Sequence, residues 1–132
     1  MLSNWMMVAV GGAVGALLRY AMSENIASDT FPWATLTANL LGSFALGVVT
    51  ALVAASLLGE QQALLLGVGL LGSFTTLSTF SVETAQMVDD GRYSSLGLYI
   101  GVTGLIGPML ALAGWKGTAA LLPVTPCWLT FG

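Results

Sequence analysis

Asn39 stands inside an apolar run, with Leu40 and Leu41 directly after it. Its side-chain amide brings donors and an acceptor to a segment that otherwise offers none. Further along, Gly72-Ser73-Phe74-Thr75-Thr76-Leu77-Ser78-Thr79-Phe80-Ser81 places a glycine and six hydroxyl residues in the middle of another apolar segment. Polar groups at membrane depth are expensive, so each is a candidate for function. For Asn39 the plain role is a helix–helix hydrogen bond, worth about 1 kcal/mol in lipid. The sharper role is a ligand in an ion path. Six hydroxyls between 73 and 81 exceed what back-bonding to their own helix would absorb, so a break in the helix is expected here. Such a break frees carbonyl oxygens and exposes the negative end of a half-helix. Carbonyls of that kind coordinate small hard cations in transporters.

Other residues extend the chemistry. Leu77 and Phe80 are three apart and are expected to share a helix face, with Ser78 and Thr79 between them. An aromatic ring has an electropositive edge, so Phe80 can face an anion without binding it as tightly as a full charge would. Plain packing is the competing role for that ring. Glu83, one turn on, faces a vestibule or pairs with Arg19. Arg19, near the end of the first apolar stretch, either snorkels to headgroups or lines a water-filled vestibule. Tyr99 and Thr103 fall at i and i+4 and continue a polar track that Gly107 and Ala111 would not extend.

These residues must be carried by membrane spans. The chain has 132 residues, 56% hydrophobic and 7% charged, against roughly 25% charged in soluble domains. Mean hydropathy is +0.89. Four spans of about 20 residues use roughly 80 positions, leaving only tight loops. The spans are expected at about 5–22, 33–58, 63–88 and 94–122, in one all-α membrane domain with the third span broken. Phe31 and Trp33 mark an interface. Gly59-Glu60-Gln61-Gln62 and Asp89-Asp90-Gly91-Arg92 make turns. The start, Met1-Leu2-Ser3-Asn4, lacks the positive region of a cleaved signal, so its apolar stretch is expected to be retained. In the tail after Pro123, Trp128 and Phe131 suit an interface.

Other classes fall away. Three basic residues and a net charge of −3 provide no patch for nucleic-acid phosphates. The single Cys127 excludes an intrachain disulfide or a cysteine cluster, and the absence of histidine excludes a Ser-His-Asp triad. Gly67-Val68-Gly69-Leu70-Leu71-Gly72 fits G-x-G-x-x-G, but a dinucleotide site needs a strand before it, and a lone strand cannot satisfy its backbone in lipid. Gly11/Gly15 and Gly97/Gly101 have the small-xxx-small spacing of close helix contacts, within one subunit or between two. With Lys116 on the side of the termini and Arg19 and Arg92 toward the other, the positive-inside rule has almost nothing to act on. A fixed topology and insertion both ways up are equally compatible with this charge.

Three stretches together resemble the CrcB/Fluc family of fluoride channels. Gly11 to Tyr20 resembles its G-G-x-x-G-A-x-x-R-Y, Thr35 to Phe44 its T-L-x-x-N-x-x-G-S-F, and Gly72 to Phe80 its G-x-x-T-T-F-S-T-F, with Glu83 in place after it. The resemblance covers residues 5 to 120. It implies an antiparallel, dual-topology homodimer in the cell membrane, with two fluoride paths and a sodium ion at the dimer centre. It assigns the carbonyls of Gly72 and Thr75 to sodium, Asn39 and Phe80 to the pore, and Arg19 to a vestibule. Leu77 stands where the family motif has its first phenylalanine, so one ring edge is missing. The implied activity is passive fluoride export that relieves toxicity. The alternatives are a non-conducting or partner-dependent subunit working with a homologous chain, and a small proton-coupled multidrug exporter with Glu83 as its carboxylate.

Overall fold

The computed structural model describes residues 2–26 and 28–122; Cys127, Trp128 and Phe131 lie outside them. Five helical segments make four crossings: α1 (Leu2–Asn25), α2 (Trp33–Ala54), α3 (residues 60–74), α4 (Leu77–Asp89) and α5 (Tyr93–Leu121). α3 and α4 are the two halves of the third span, Glu60–Asp89. All four spans are long and apolar enough to cross a bilayer, and no strand occurs among the described residues. The chain is a multi-pass membrane protein.

Backbone-to-backbone approach sets the packing, as expected where lipid supplies no hydrophobic drive between helices. On α1, a Cβ at Gly11 or Gly15 would run into the carbonyls of Leu65 and Leu70 of α3, and Gly69 answers from the opposite side. On α2 and α5, Gly47 meets the Ala111 carbonyl and Gly114 meets that of Phe44. So the chain is built from two tight pairs, α1 with α3 and α2 with α5. The G-x-G-x-x-G stretch is helical, and Gly69 serves as a packing residue. Gly97, Gly101 and Gly104 meet nothing within 4 Å. The same spacing thus seals a seam in α1 and leaves an open face on α5.

Two stretches are wound as π-helix, Leu64–Leu71 in α3 and Val102–Ile106 in α5. The second lies just before Pro108, whose ring crowds the carbonyl four residues back and whose missing amide removes a rung; a wider turn relieves both. The ends of the α1–α3 pair are tied by Asn4 Nδ2 donating to Glu60 Oε1 at 2.8 Å and Gln61 Nε2 to Ser3 Oγ at 2.8 Å. At the other end Arg92 Nη1 donates to the Thr30 carbonyl at 2.8 Å and pairs with Asp90 at 3.1 Å.

The second span ends at Ala54, short of the expected 58. Leu57 N–H donates to Leu52 O and Ser56 N–H to Val53 O, both at 2.9 Å, which is the Schellman closure. It needs a left-handed residue, and Ser56 takes that place at φ 57°. The end of α4 closes the same way, through Arg92 N–H to Met87 O and Gly91 N–H to Val88 O, with Gly91 at φ 69°. The apolar Leu57-Leu58 hides this stop in a hydropathy pattern. A left-handed conformation costs a side-chain-bearing residue about 1 kcal/mol or more, partly offset by glycine's own entropy cost. Ser56→Gly is therefore expected to raise the melting temperature in detergent, and Gly91→Ala to lower it.

Candidate ion-binding site at the helix break

The break falls at Thr75 and Thr76, both extended, with ψ 155° and φ −151° respectively. Thr75 N–H and Oγ1 both donate to Leu71 O, at 3.1 and 3.0 Å, so the last closed rung ends there. A helix end leaves its final carbonyls without amide partners. Arg19 takes one of them: its Nε donates to Ser73 O at 3.2 Å. This directs the half-buried guanidinium to the negative end of α3, rather than outward to headgroups. Among the described residues no carboxylate, histidine or cysteine cluster suits a metal. A hard cation would have to use carbonyl oxygens, and those of Gly72, Phe74 and Thr75 end the helix uncommitted to it.

α2 holds the break from the side. Asn39 Nδ2 donates to Thr76 O at 3.1 Å and Asn39 Oδ1 accepts from Thr76 N–H at 2.8 Å. Gly42, one turn on along the same face, has no room for a Cβ because the Thr75 methyl group lies against it. Asn39 thus commits one donor and its acceptor to backbone, leaving its second amide hydrogen uncommitted among the described residues.

The hydroxyl cluster divides its work. Thr76 caps α4, its Oγ1 accepting from Thr79 N–H at 3.2 Å. The same oxygen lies 3.0 Å from Thr79 Oγ1 and 3.2 Å from Ser78 Oγ. Only Thr75 and Ser81 bond back to the carbonyl four residues earlier. A cavity of about 250 Å³ opens here, lined by Arg19, Tyr20, Ser23, Thr35, Thr76 and Thr79 among others.

Glu83 does not pair with Arg19. Its Oε1 accepts from Thr35 Oγ1 at 2.8 Å and its Oε2 from Tyr99 OH at 2.6 Å. Tyr99 is fully buried (0% exposed), packed edge-on to Phe31 and tilted against Phe80 with ring centroids 4.8 Å apart. The core of the fold gathers round it, with Leu36 and Met87. Leu77 and Phe80 part company: Phe80 packs inward on Tyr99, whereas Leu77 is 76% exposed. Both lie in α4, but Leu77 stands in its first turn beside the break, where this chain leaves it uncovered. Thr103 lies in the π-helical stretch, and its Oγ1 is sealed from solvent with no partner among the described residues. Thr35 was absent from the sequence-based site because a lone threonine in a span carries no signal of a carboxylate 48 residues away.

Four helical crossings, one broken at mid-span between uncommitted carbonyls and hydroxyl donors, define a membrane protein built to handle ions. The family model described as "CrcB-like protein, Camphor Resistance (CrcB)" matches residues 6–115. A protein of Idiomarina loihiensis named fluoride-specific ion channel FluC is 45% identical over 103 residues, covering 76% of this chain and 80% of its own length. Proteins of the same name from Novosphingobium aromaticivorans and Thermus thermophilus are 42% and 36% identical, covering 85% and 92% of this chain and 95% and 99% of their own lengths. The chain belongs to the CrcB family.

Opposite stability effects are expected from the two buried hydroxyls. Tyr99→Phe removes a donor to a carboxylate and should cost about 1.5–3 kcal/mol, whereas Thr103→Val removes an unsatisfied group and should be neutral or stabilising by about 1 kcal/mol. Thermal unfolding of each variant in detergent checks both signs.

Proposed function

We propose that this chain is a passive, selective fluoride channel of the cell membrane, not an enzyme, that lets the ion leave and so relieves its toxicity. The observation that carries the proposal is the break at Thr75–Thr76, in a chain whose relatives are named fluoride-specific channels. Fluoride is small and strongly hydrated, so weak donors must replace its water without trapping it. The second amide hydrogen of Asn39, the hydroxyls of Ser78, Thr79 and Thr103, and the ring edge of Phe80 are donors of that kind, whereas the one proton of Tyr99 OH is committed to Glu83. Arg19, lining the cavity beside the break, attracts the anion to the mouth. The start of α4 adds the unpaired amides and partial positive charge of a helix N-terminus.

The working unit in this reading is an antiparallel, dual-topology homodimer. Two observations support it. Gly72 and Leu77, on either side of the break, are both exposed on this chain, and irregular backbone at membrane depth is tolerated only when protein or a water-filled cavity covers it. The few charges also leave orientation nearly unbiased. Sodium is the cation proposed for the carbonyls of Gly72 and Thr75, where it would neutralise the negative end of α3 and join two copies at the dimer centre. The chemistry of the site suits it, since the available donors are backbone oxygens.

A second reading is favoured by Leu77, which supplies no ring edge: a subunit that conducts only beside a homologous chain. The proton-coupled exporter has less to stand on, because both oxygens of Glu83 are engaged by hydroxyls.

Liposomes containing only this chain, loaded with fluoride, are expected to release it under a gradient while retaining chloride. Absence of fluoride flux overturns the homodimeric channel, and flux restored by adding a homologous subunit establishes the partner-dependent one. Leu77→Phe is expected to preserve or raise the fluoride rate; a clear loss would show that this side chain lies elsewhere than on the path.

A further inference from the structure

Asn39 and Thr76 exchange two hydrogen bonds, and one of them decides where α3 ends. In an uninterrupted helix the amide of Thr76 would donate to the carbonyl of Gly72, four residues back. The rung before it is intact, since Thr75 N–H donates to Leu71 O at 3.1 Å. The Thr76 amide goes instead to Asn39 Oδ1 at 2.8 Å. The Gly72 carbonyl thus loses the amide that a continuing helix would give it, and a side chain from another helix has taken that amide.

The geometry of Thr76 makes this possible. An extended residue presents its N–H and C=O on the same edge, as in a sheet ladder. Thr76 is extended, at φ −151° and ψ 116°. A carboxamide offers the complementary acceptor and donor side by side. Aspartate at position 39 would keep the acceptor for the Thr76 amide and lose the donor to its carbonyl, and leucine of similar size would lose both. Gly42 on the same face of α2 lets Thr75 come close enough for the pair to form.

Building on the proposal that sodium is held at Gly72 and Thr75, we infer that Asn39 is a positioning residue for that cation: by taking the amide of Thr76 it keeps the Gly72 carbonyl open. Asn39 acts through Thr76 and needs no contact with the ion. A residue 39 that cannot accept returns the Thr76 amide to Gly72, extends α3 by one rung and closes the carbonyl. The residue that borders the proposed fluoride path thereby sets the cation site as well, through one backbone amide.

The test measures sodium binding by titration calorimetry on the full chain in detergent, with no flux in the readout. Asn39→Leu is expected to weaken sodium binding by about two- to tenfold, the effect of one reclaimed hydrogen bond. Replacing Thr76 by its α-hydroxy analogue puts an ester oxygen in place of the amide and makes the Thr75 carbonyl an ester carbonyl, a poorer ligand, so the ester chain sets its own reference for sodium binding. In the ester background Asn39→Leu should weaken sodium binding no further, because no amide remains to close the Gly72 carbonyl. Asn39→Asp, which keeps the acceptor, should bind sodium at least as tightly as the unmodified chain; it carries the test alone if the leucine variant does not fold. The inference is overturned if Asn39→Leu binds sodium normally, if Asn39→Leu weakens binding as much in the ester background as in the unmodified chain, or if Asn39→Asp loses sodium binding. Failure of the sodium reading itself is told apart, because then the unmodified chain binds no sodium either, which overturns both.

Discussion

In the hydrocarbon core of a bilayer there is no water to take up a stray N–H or C=O, so every backbone polar group needs a partner in the protein. A helix satisfies that demand automatically, and three of the four spans here cross as continuous helices. The third abandons it for two residues, Thr75 and Thr76. What makes this tolerable is the exchange of two hydrogen bonds between the Asn39 carboxamide and the Thr76 backbone. The rest of the arrangement follows from bringing α2 to that point. Gly42 must be small where Thr75 arrives, and Arg19 must reach the Ser73 carbonyl from α1. The two glycine seams then hold α1 on α3 and α2 on α5 closely enough for these short polar contacts to form.

One interruption produces two electrostatically opposite ends a few residues apart. The end of α3 presents carbonyls and partial negative charge, and the start of α4 presents amides and partial positive charge. The protein partly spends the hydroxyls of residues 73–81 on managing those ends. Thr76 caps α4, while Ser78 and Thr79 gather on its hydroxyl. The carboxylate of Glu83 is managed separately, between Thr35 and Tyr99 against the aromatic core. Thr103 alone has a sealed hydroxyl with no partner among the described residues.

Much of this was legible in the chain. Hydropathy located the spans to within a few residues, and the density of hydroxyls located the break, because polar groups at depth signal non-helical or functional backbone whatever their partners are. Partner choice was not legible. Glu83 was expected either to face a vestibule or to pair with Arg19, and it is held instead by hydroxyls from Thr35 and Tyr99, 48 and 16 residues away. The end of the second span at Ala54 was hidden by Leu57-Leu58, since a left-handed Ser56 leaves no trace in an apolar pattern. Gly11/Gly15 and Gly97/Gly101 have the same spacing and opposite surroundings. Spacing says that a close approach is possible, and only the neighbouring helix says whether it occurs.

The amino-acid order by itself determined that this protein lives in lipid, crosses it four times and breaks its third span among hydroxyls. These are properties of local composition, set by the cost of moving each segment from water to hydrocarbon. Tertiary structure alone decided which groups satisfy the broken backbone: Asn39 for Thr76, Arg19 for Ser73, two hydroxyls for Glu83. Hydrogen bonds act over about 3 Å and depend on direction, so they are chosen by how helices distant in sequence come to lie together. Local composition carries no record of that choice.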